Sequence, residues 1–147
     1  MTFEEYLLHR YRLEDGQIIG PKNVVRGTPL GNGYLGTCVW FQGKLKRVLL
    51  HRLVFLLANK YLPSTVDHIN GIRDDNRVEN LRAATRRQQQ GNSERLGYRL
   101  RIKRYKKLRY EVNCDHKYIG VFDTPEEARA AYLKAKKKAF GEFARLS

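Results

Sequence analysis

In the stretch VDHINGIRDDNRVENLRAATRRQQQGN, from Val66 to Asn92, an Asn70-Gly71 pair stands directly behind the β-prone run STVDHI. Asn-Gly favours a tight turn with positive φ, so a strand arriving there has to stop. The middle of the chain is therefore broken into short elements around a polar loop. Thr85 stands where it can cap a following polar helix, RRQQQGN. On the other side, HRLVFLLANKYL (His51 to Leu62) is a dense apolar run ended by Pro63, and its length predicts a buried helix. GYLGTCVWFQGKLKRVLL predicts a hairpin with Gln42-Gly43 near its turn. Gly and Pro punctuation across residues 1–50 predicts a β-rich N-terminal segment.

Beyond the polar stretch GNSERLG, the pattern changes. YRLRIKRY, LRYEVNCD and HKYIGVFDT predict three strands, and Arg99-Leu100-Arg101-Ile102-Lys103 alternates basic and apolar faces. Thr124-Pro125-Glu126-Glu127 predicts a helix start, with Thr as N-cap, Pro at N1 and Glu at N3. Ala128, Ala131, Tyr132, Ala135 and Ala139 recur at 3- and 4-residue steps as a narrow apolar stripe, and Gly141 ends the helix. The expected architecture is α+β: residues 1–92 as one domain (β-rich 1–50, helix 51–62, loop and helix 64–92), a linker at 93–97, and a module at 98–147. That module is a three-stranded antiparallel sheet packed on one helix.

Charge narrows the partners. The chain has 147 residues, with 29 Lys plus Arg against 15 Asp plus Glu, a formal net charge of +14. So basic a chain repels itself unless a polyanion is its normal partner, and nucleic acid is the commonest one. Residues 98–147 carry 14 basic and 6 acidic residues, against 15 and 9 in residues 1–97. The module at 98–147 is the better candidate for primary DNA contact. If its sheet has one free face, that face carries Arg99, Arg101 and Lys103, then Arg109, Glu111 and Asn113, with Lys117 ahead of the third strand. Arg in the major groove reads guanine edges bidentately, and other basic groups neutralise phosphate. A solvated basic face is the alternative. Cys38 and Cys114, far apart and in no C-x-x-C pair, argue against a disulfide framework and a Cys-rich zinc site. No membrane partner is expected, because no segment approaches 18 apolar residues; the N-terminus MTFEEYLLHR lacks the pattern of a signal peptide. A cytoplasmic location is expected.

The central stretch carries chemistry. In-line hydrolysis of a phosphodiester needs a base to activate water and a cation for charge on the leaving oxygen. His68 is the right type of base, since imidazole titrates near neutrality. Asp67 is a hard oxygen ligand suited to Mg²⁺, which takes one or two protein ligands and keeps water and phosphate for the rest. Strict alternation would put the two on opposite faces, so the strand has to end or twist there. An EF-hand loop starting at Asp67 fails, because it would need an acceptor at Ile69 and Gly at Ile72. His51 and His68 alone lack two ligands for zinc.

HRLVFLLANKYLPSTVDHINGIRDDNRVENLRAAT resembles the HNH (His-Me finger) endonucleases of phages and mobile introns, through Asp-His-x-Asn-Gly, Asn-Arg and Asn-Leu-Arg. The resemblance implies a ββα-metal unit holding one divalent metal, Mg²⁺ or alternatively Mn²⁺. It implies Asp67 as ligand, His68 as general base and Asn80 tying the loop together. His51-Arg52 matches a recurrent His-Arg entering the preceding helix, read as scaffold or phosphate contact. The family's second metal ligand, Asn or His, falls nine residues after the loop Asn, which here is Gln89. Asn92 is in place three residues later, so Gln89 is a substitution within an intact register.

KYIGVFDTPEEARAAYLKAKKKAFGEFARLS resembles the end of the plant APETALA2-type DNA-binding domain, in which the sheet lies in the major groove. Two departures are visible: the family's Trp in the second strand is Tyr110 or missing, and its double Ala after Glu-Glu is Ala128-Arg129. Together the resemblances imply a homing-type DNA endonuclease, leaving 5′-phosphate and 3′-hydroxyl ends on double-stranded DNA. One site per chain, as a monomer or weak dimer, favours nicking. The rival reading is a DNA-binding regulator with a weak or dead site, fed by Gln89. A basic RNA-binding protein is a third, without the exposed aromatic pattern of single-strand modules.

Overall fold

A computed structural model describes residues 1–102 and 108–146 of the chain. It forms two compact units, Met1–Arg86 and Arg87–Ser147.

The first unit opens with a helix, not with the strands expected of residues 1–50. α1 spans Phe3–Arg10, and Thr2 caps it in a closed box with Glu5: the Thr2 side chain accepts from the Glu5 N–H and the Glu5 carboxylate from the Thr2 N–H. That reciprocal pair satisfies two orphan donors at once, which is why a helix as short as this holds. Short strands follow, β1 (Arg12–Glu14), β2 (Gln17–Ile19) and β3 (Val24–Val25), paired antiparallel in that order. A second sheet runs β4 (Thr28–Pro29), β5 (Leu35–Phe41), β6 (Lys44–Leu49). β5 and β6 form the expected hairpin, with Gln42 at φ 49° and Gly43 at φ 73° in the turn.

α2 (Leu50–Asn59) is the centre of this unit. Seven of its ten residues are buried, among them Leu53 at 0% and Leu56 at 1% exposure, so an apolar surface wraps nearly the whole helix. Leu7, Ile18, Val39, Val48, Val66 and Leu81 from the surrounding elements close the core around it. The helix stops at Asn59, short of the expected Leu62. Lys60 takes a left-handed φ of 64° and its N–H bonds Leu56 O, and Pro63 lies just beyond. β7 (Thr65–His68) and β8 (Leu81–Ala84) then pair antiparallel across the loop that opens on Asn70-Gly71. A 3₁₀ turn, Val78–Asn80, precedes β8, and α3 spans Arg86–Gly91.

In the second unit, β9 (Tyr98–Ile102), β10 (Leu108–Cys114) and β11 (Lys117–Phe122) form an antiparallel sheet of order β11-β10-β9. α4 (Pro125–Phe140) packs on it, its Ala128 and Tyr132 closing on Val112 and Cys114. Thr124 Oγ1 accepts from the Glu127 N–H, Pro125 stands at N1, and Gly141 ends the helix at φ 56°.

Residues 91–97 are not a free linker in this unit. Gly91 lies so close to Phe140 that a Cβ there would fall 2.6 Å from the ring, and Gly91 O accepts from the Arg145 N–H. Lys136 Nζ donates to Ser93 O at 2.7 Å and Arg129 to the carbonyls of Arg95 and Leu96. The polar composition that suggested a solvated tether is a run of backbone acceptors serving cations of α4. Lys136, 2% exposed, is buried in the process.

Candidate functional site

β7 ends on His68, as a strand meeting the Asn70-Gly71 turn must. Gly71 takes φ 72° and its N–H bonds His68 O at 2.9 Å. Asp67 and His68, each 4% exposed, sit at the last two strand positions and face different partners. Asp67 Oδ2 accepts from Arg82 Nε, its register partner on β8, at 3.0 Å. His68 Nε2 lies 2.9 Å from Asn76 Oδ1. An amide oxygen only accepts, so with Oδ1 facing the ring the neutral tautomer this contact favours is the one protonated at Nε2.

Asn80 closes the intervening loop. Its Oδ1 accepts from the Asn70 N–H at 3.1 Å, while its Nδ2 donates to Asn70 Oδ1 at 2.9 Å and to Asp75 O at 2.8 Å. Asn80 O also accepts from the Ile69 N–H at 2.8 Å. Asn70 Nδ2 donates to Asp75 Oδ2, and Arg77 grips the Asp75 carboxylate with two N–H groups at 2.8 Å. Those bonds, Arg77 foremost, hold the Asp75 carboxyl far below the usual carboxylate range. The loop after His68 is thus pinned to both strands by side chains on its own residues.

Behind His68 lies a cluster of rings. His51 of α2 is 4.9 Å from His68 and 5.2 Å from Tyr34 between ring centroids, and Tyr34 is 6.0 Å from His68. Arg73 lies over the Tyr34 ring at 5.1 Å and donates to Asn32 O, fastening the 30–34 loop to the loop after His68. His51 is 5% exposed and its Nδ1 has no hydrogen-bond partner among the described residues. Burial, helped by His68 and Arg52, lowers its pKa from 6.5 to about 4, so it stays neutral. Arg52 donates to Ser64 O and Pro63 O at 3.2 and 3.3 Å, which splices α2 to the approach of β7. That is a scaffold position. Asn76 entered the sequence reading only within the Asn-Arg motif, with no role given to it, and Tyr34 was not singled out.

Gln89 lies half-buried on α3, in the part of the chain that belongs to the second unit. Among the described residues no group of three His, Cys, Asp or Glu side chains could hold a metal by itself. Asp67 offers a hard carboxylate, of which Oδ2 is paired with Arg82. That donor chemistry fits a cation such as Mg²⁺, which keeps water and phosphate ligands, and does not fit a zinc cage.

In the second unit, Arg99 and Arg101 are exposed on the sheet face away from α4, as expected, and Asn113 and Lys117 are exposed too. Arg109 is half-buried and lies 3.5 Å from Asp123. Glu111 corrects the expectation that it would meet DNA: it is 5% exposed, beneath the arginines. Its Oε1 accepts from Asn113 Nδ2 at 3.0 Å and Arg99 Nη2 at 3.2 Å, and Oε2 pairs with Arg101 Nε. These partners, Asn113 first, keep its carboxyl below the usual range. Strand parity puts Glu111 on the right face, but two long guanidinium side chains fold over it. Lys103 lies outside the described residues.

A strand pair closed by a pinned loop thus carries a buried Asp-His at the end of its first strand, an imidazole and a hard oxygen donor next to each other in sequence. Residues 48–90 match the family model for HNH endonucleases, and this stretch is similar to that nuclease domain. The similarity makes a nuclease, a hydrolase with DNA as substrate, the class to which the chain points, and nucleases of that family typically use a divalent metal. No curated protein and no solved structure matches the chain.

Proposed function

We propose that the protein is a metal-dependent DNA endonuclease of the homing type, acting on double-stranded DNA in a bacterial or phage-infected cell. The observation that carries this reading is the His68 imidazole, fixed through Nε2 by Asn76 and set beside the buried Asp67 in the matched stretch. His68 Nδ1 takes the proton from the attacking water. Asn76 sets the tautomer, and Asn80 keeps the loop from drifting. Asp67 holds the divalent cation, Mg²⁺ in the first instance and Mn²⁺ in the second, and Gln89 is the second ligand by its place nine residues after Asn80. The cation, when bound, stabilises charge developing on the leaving 3′ oxygen.

The module at 98–147 places the enzyme on DNA. What supports this is its resemblance to the APETALA2-type domain and the open sheet face bearing Arg99 and Arg101, which Glu111 anchors from below. With Arg109 and Asn113, that face supplies phosphate and base-edge contacts, and Lys103 and Lys117 add positive charge from the same stretch of sequence.

Supercoiled plasmid, purified protein and Mg²⁺, run beside a chelator control and His68→Ala, test the reading. Metal-dependent nicking that His68→Ala abolishes is expected. Equal relaxation by the variant, or none by the wild type, favours the second reading: a DNA-binding protein with a silent site, to which Gln89 in place of Asn or His points.

A further inference from the structure

The hairpin β5–β6 has an outer face that the core does not use. Burial alternates along β5, with Val39 and Phe41 buried and Cys38 and Trp40 exposed. On β6, Leu45 stands in register with Trp40 and Arg47 with Cys38. Trp40 is 63% and Leu45 56% exposed. The opposite face is firmly held. Phe41 packs on Phe3 and Tyr6, each at 5.1 Å, and Lys46 Nζ sits 4.6 Å over Phe3 and 5.0 Å over Phe41. The ribbon is thus stiff, and it presents a large aromatic beside a leucine to water. An adjacent apolar pair of this size on a stiff support is the kind of patch that marks a contact surface.

Charge says what covers it. Residues 16–66 contain seven Lys and Arg and no Asp or Glu. Every carboxylate of the first unit lies before or after that stretch, at Glu4–Asp15 or Asp67–Glu79. Arg47, opposite Cys38, shares this outer face and is exposed, whereas Lys44 stands opposite Phe41 on the inner face, so one cation of the ribbon lies beside the apolar pair. A second copy of the chain would set this uncompensated charge against itself. A polyanion with flat apolar edges satisfies both halves of the surface, and duplex DNA is one: phosphates for the cations, sugars and base edges for the rings. A two-stranded ribbon also has the width the major groove admits.

We propose that the outer face of the β5–β6 hairpin is a DNA-contact surface of the first unit, with Trp40 and Leu45 on sugar and base edges and Arg47 on phosphate. It rests on duplex DNA being the substrate, but not on catalysis, and it adds a contact beyond the sheet of the second unit.

Trp40 is the only tryptophan, so its emission, excited at the red edge beyond tyrosine absorption, reads this face alone. The full-length protein is titrated with a mixed-sequence duplex in chelator, with anisotropy of a labelled duplex reporting total binding. Emission should change along the binding isotherm. Cys38, the exposed thiol, should react with a thiol reagent roughly tenfold more slowly on saturation, while Cys114 stays buried throughout. Trp40→Ala with Leu45→Ala should weaken binding roughly tenfold, the loss of one modest anchor. Arg47→Gln should lower the slope of log K against log salt by about 0.9. Unchanged Trp40 emission and Cys38 reactivity at saturating DNA overturn the proposal. So does a concentration-dependent dimer that Trp40→Ala abolishes while DNA affinity stays as in the wild type, which assigns the face to a second copy. Plasmid nicking that survives either result leaves the endonuclease reading standing, so the two fail separately.

Discussion

His51 makes the first unit acid-sensitive in a way that can be worked out. The ring is 5% exposed, stacked between Tyr34 and His68, and burial lowers its pKa from 6.5 to about 4. Between those values the unfolded chain binds a proton at His51 that the folded chain refuses. Stability from this group is therefore complete above about pH 6.5 and is lost as pH falls towards 4. At roughly 1.4 kcal/mol per pH unit, the loss reaches about 3 kcal/mol near pH 4. His51→Phe keeps an aromatic ring of similar volume and removes the titration. Urea unfolding, followed by Trp40 and tyrosine emission, would be measured near pH 7 and near pH 4 on both proteins. The variant should lose about 3 kcal/mol less than the wild type over that interval. Equal losses would refute the reasoning, because His51 would then be protonated in the folded state at no cost.

Other outcomes follow from the same geometry. Asn80→Ala removes three side-chain hydrogen bonds and should cost about 2–4 kcal/mol, with nicking reduced at least tenfold while DNA affinity holds; urea melts and a gel-shift assay check the two halves. Gln89→Asn should raise nicking and lower the Mg²⁺ concentration needed for half-maximal rate, both read in a plasmid assay. Gly97→Ala puts a Cβ 2.1 Å from the Tyr132 ring at φ 83°, so it should destabilise the second unit by at least about 2 kcal/mol. Thermal melts followed by circular dichroism check it.

The sequence showed what depends on local chemistry. Gln42-Gly43 marked a hairpin and Asn70-Gly71 ended a strand because those pairs favour positive φ wherever they occur. Thr124-Pro125 started a helix through groups three residues apart. The capping box of Thr2 and Glu5 was equally local, but glycines downstream drew the reading of residues 1–50 towards strands. What could not be read depends on depth and on distant partners. Parity put Glu111 on the open face, yet two arginines from the neighbouring strand bury it. Lys136 has the composition of a solvated helix position, and only the fold brings Ser93 O within 2.7 Å of it. The Asn76–His68 bond spans eight residues of irregular loop, where no periodicity leads from one to the other.

The loop from Ile69 to Asn80 separates two kinds of residue. Asn70, Asp75 and Asn80 are tied to one another and Asn76 to His68, while Ile69 and Ile72, 46% and 52% exposed, stand on its rim. Mutation can therefore explore the rim without loosening the grip on the imidazole. On the endonuclease reading proposed above, the lineage is free to change what the loop meets on a target while the setting of His68 is inherited intact, so new substrates can be sampled from a site that never stops being assembled.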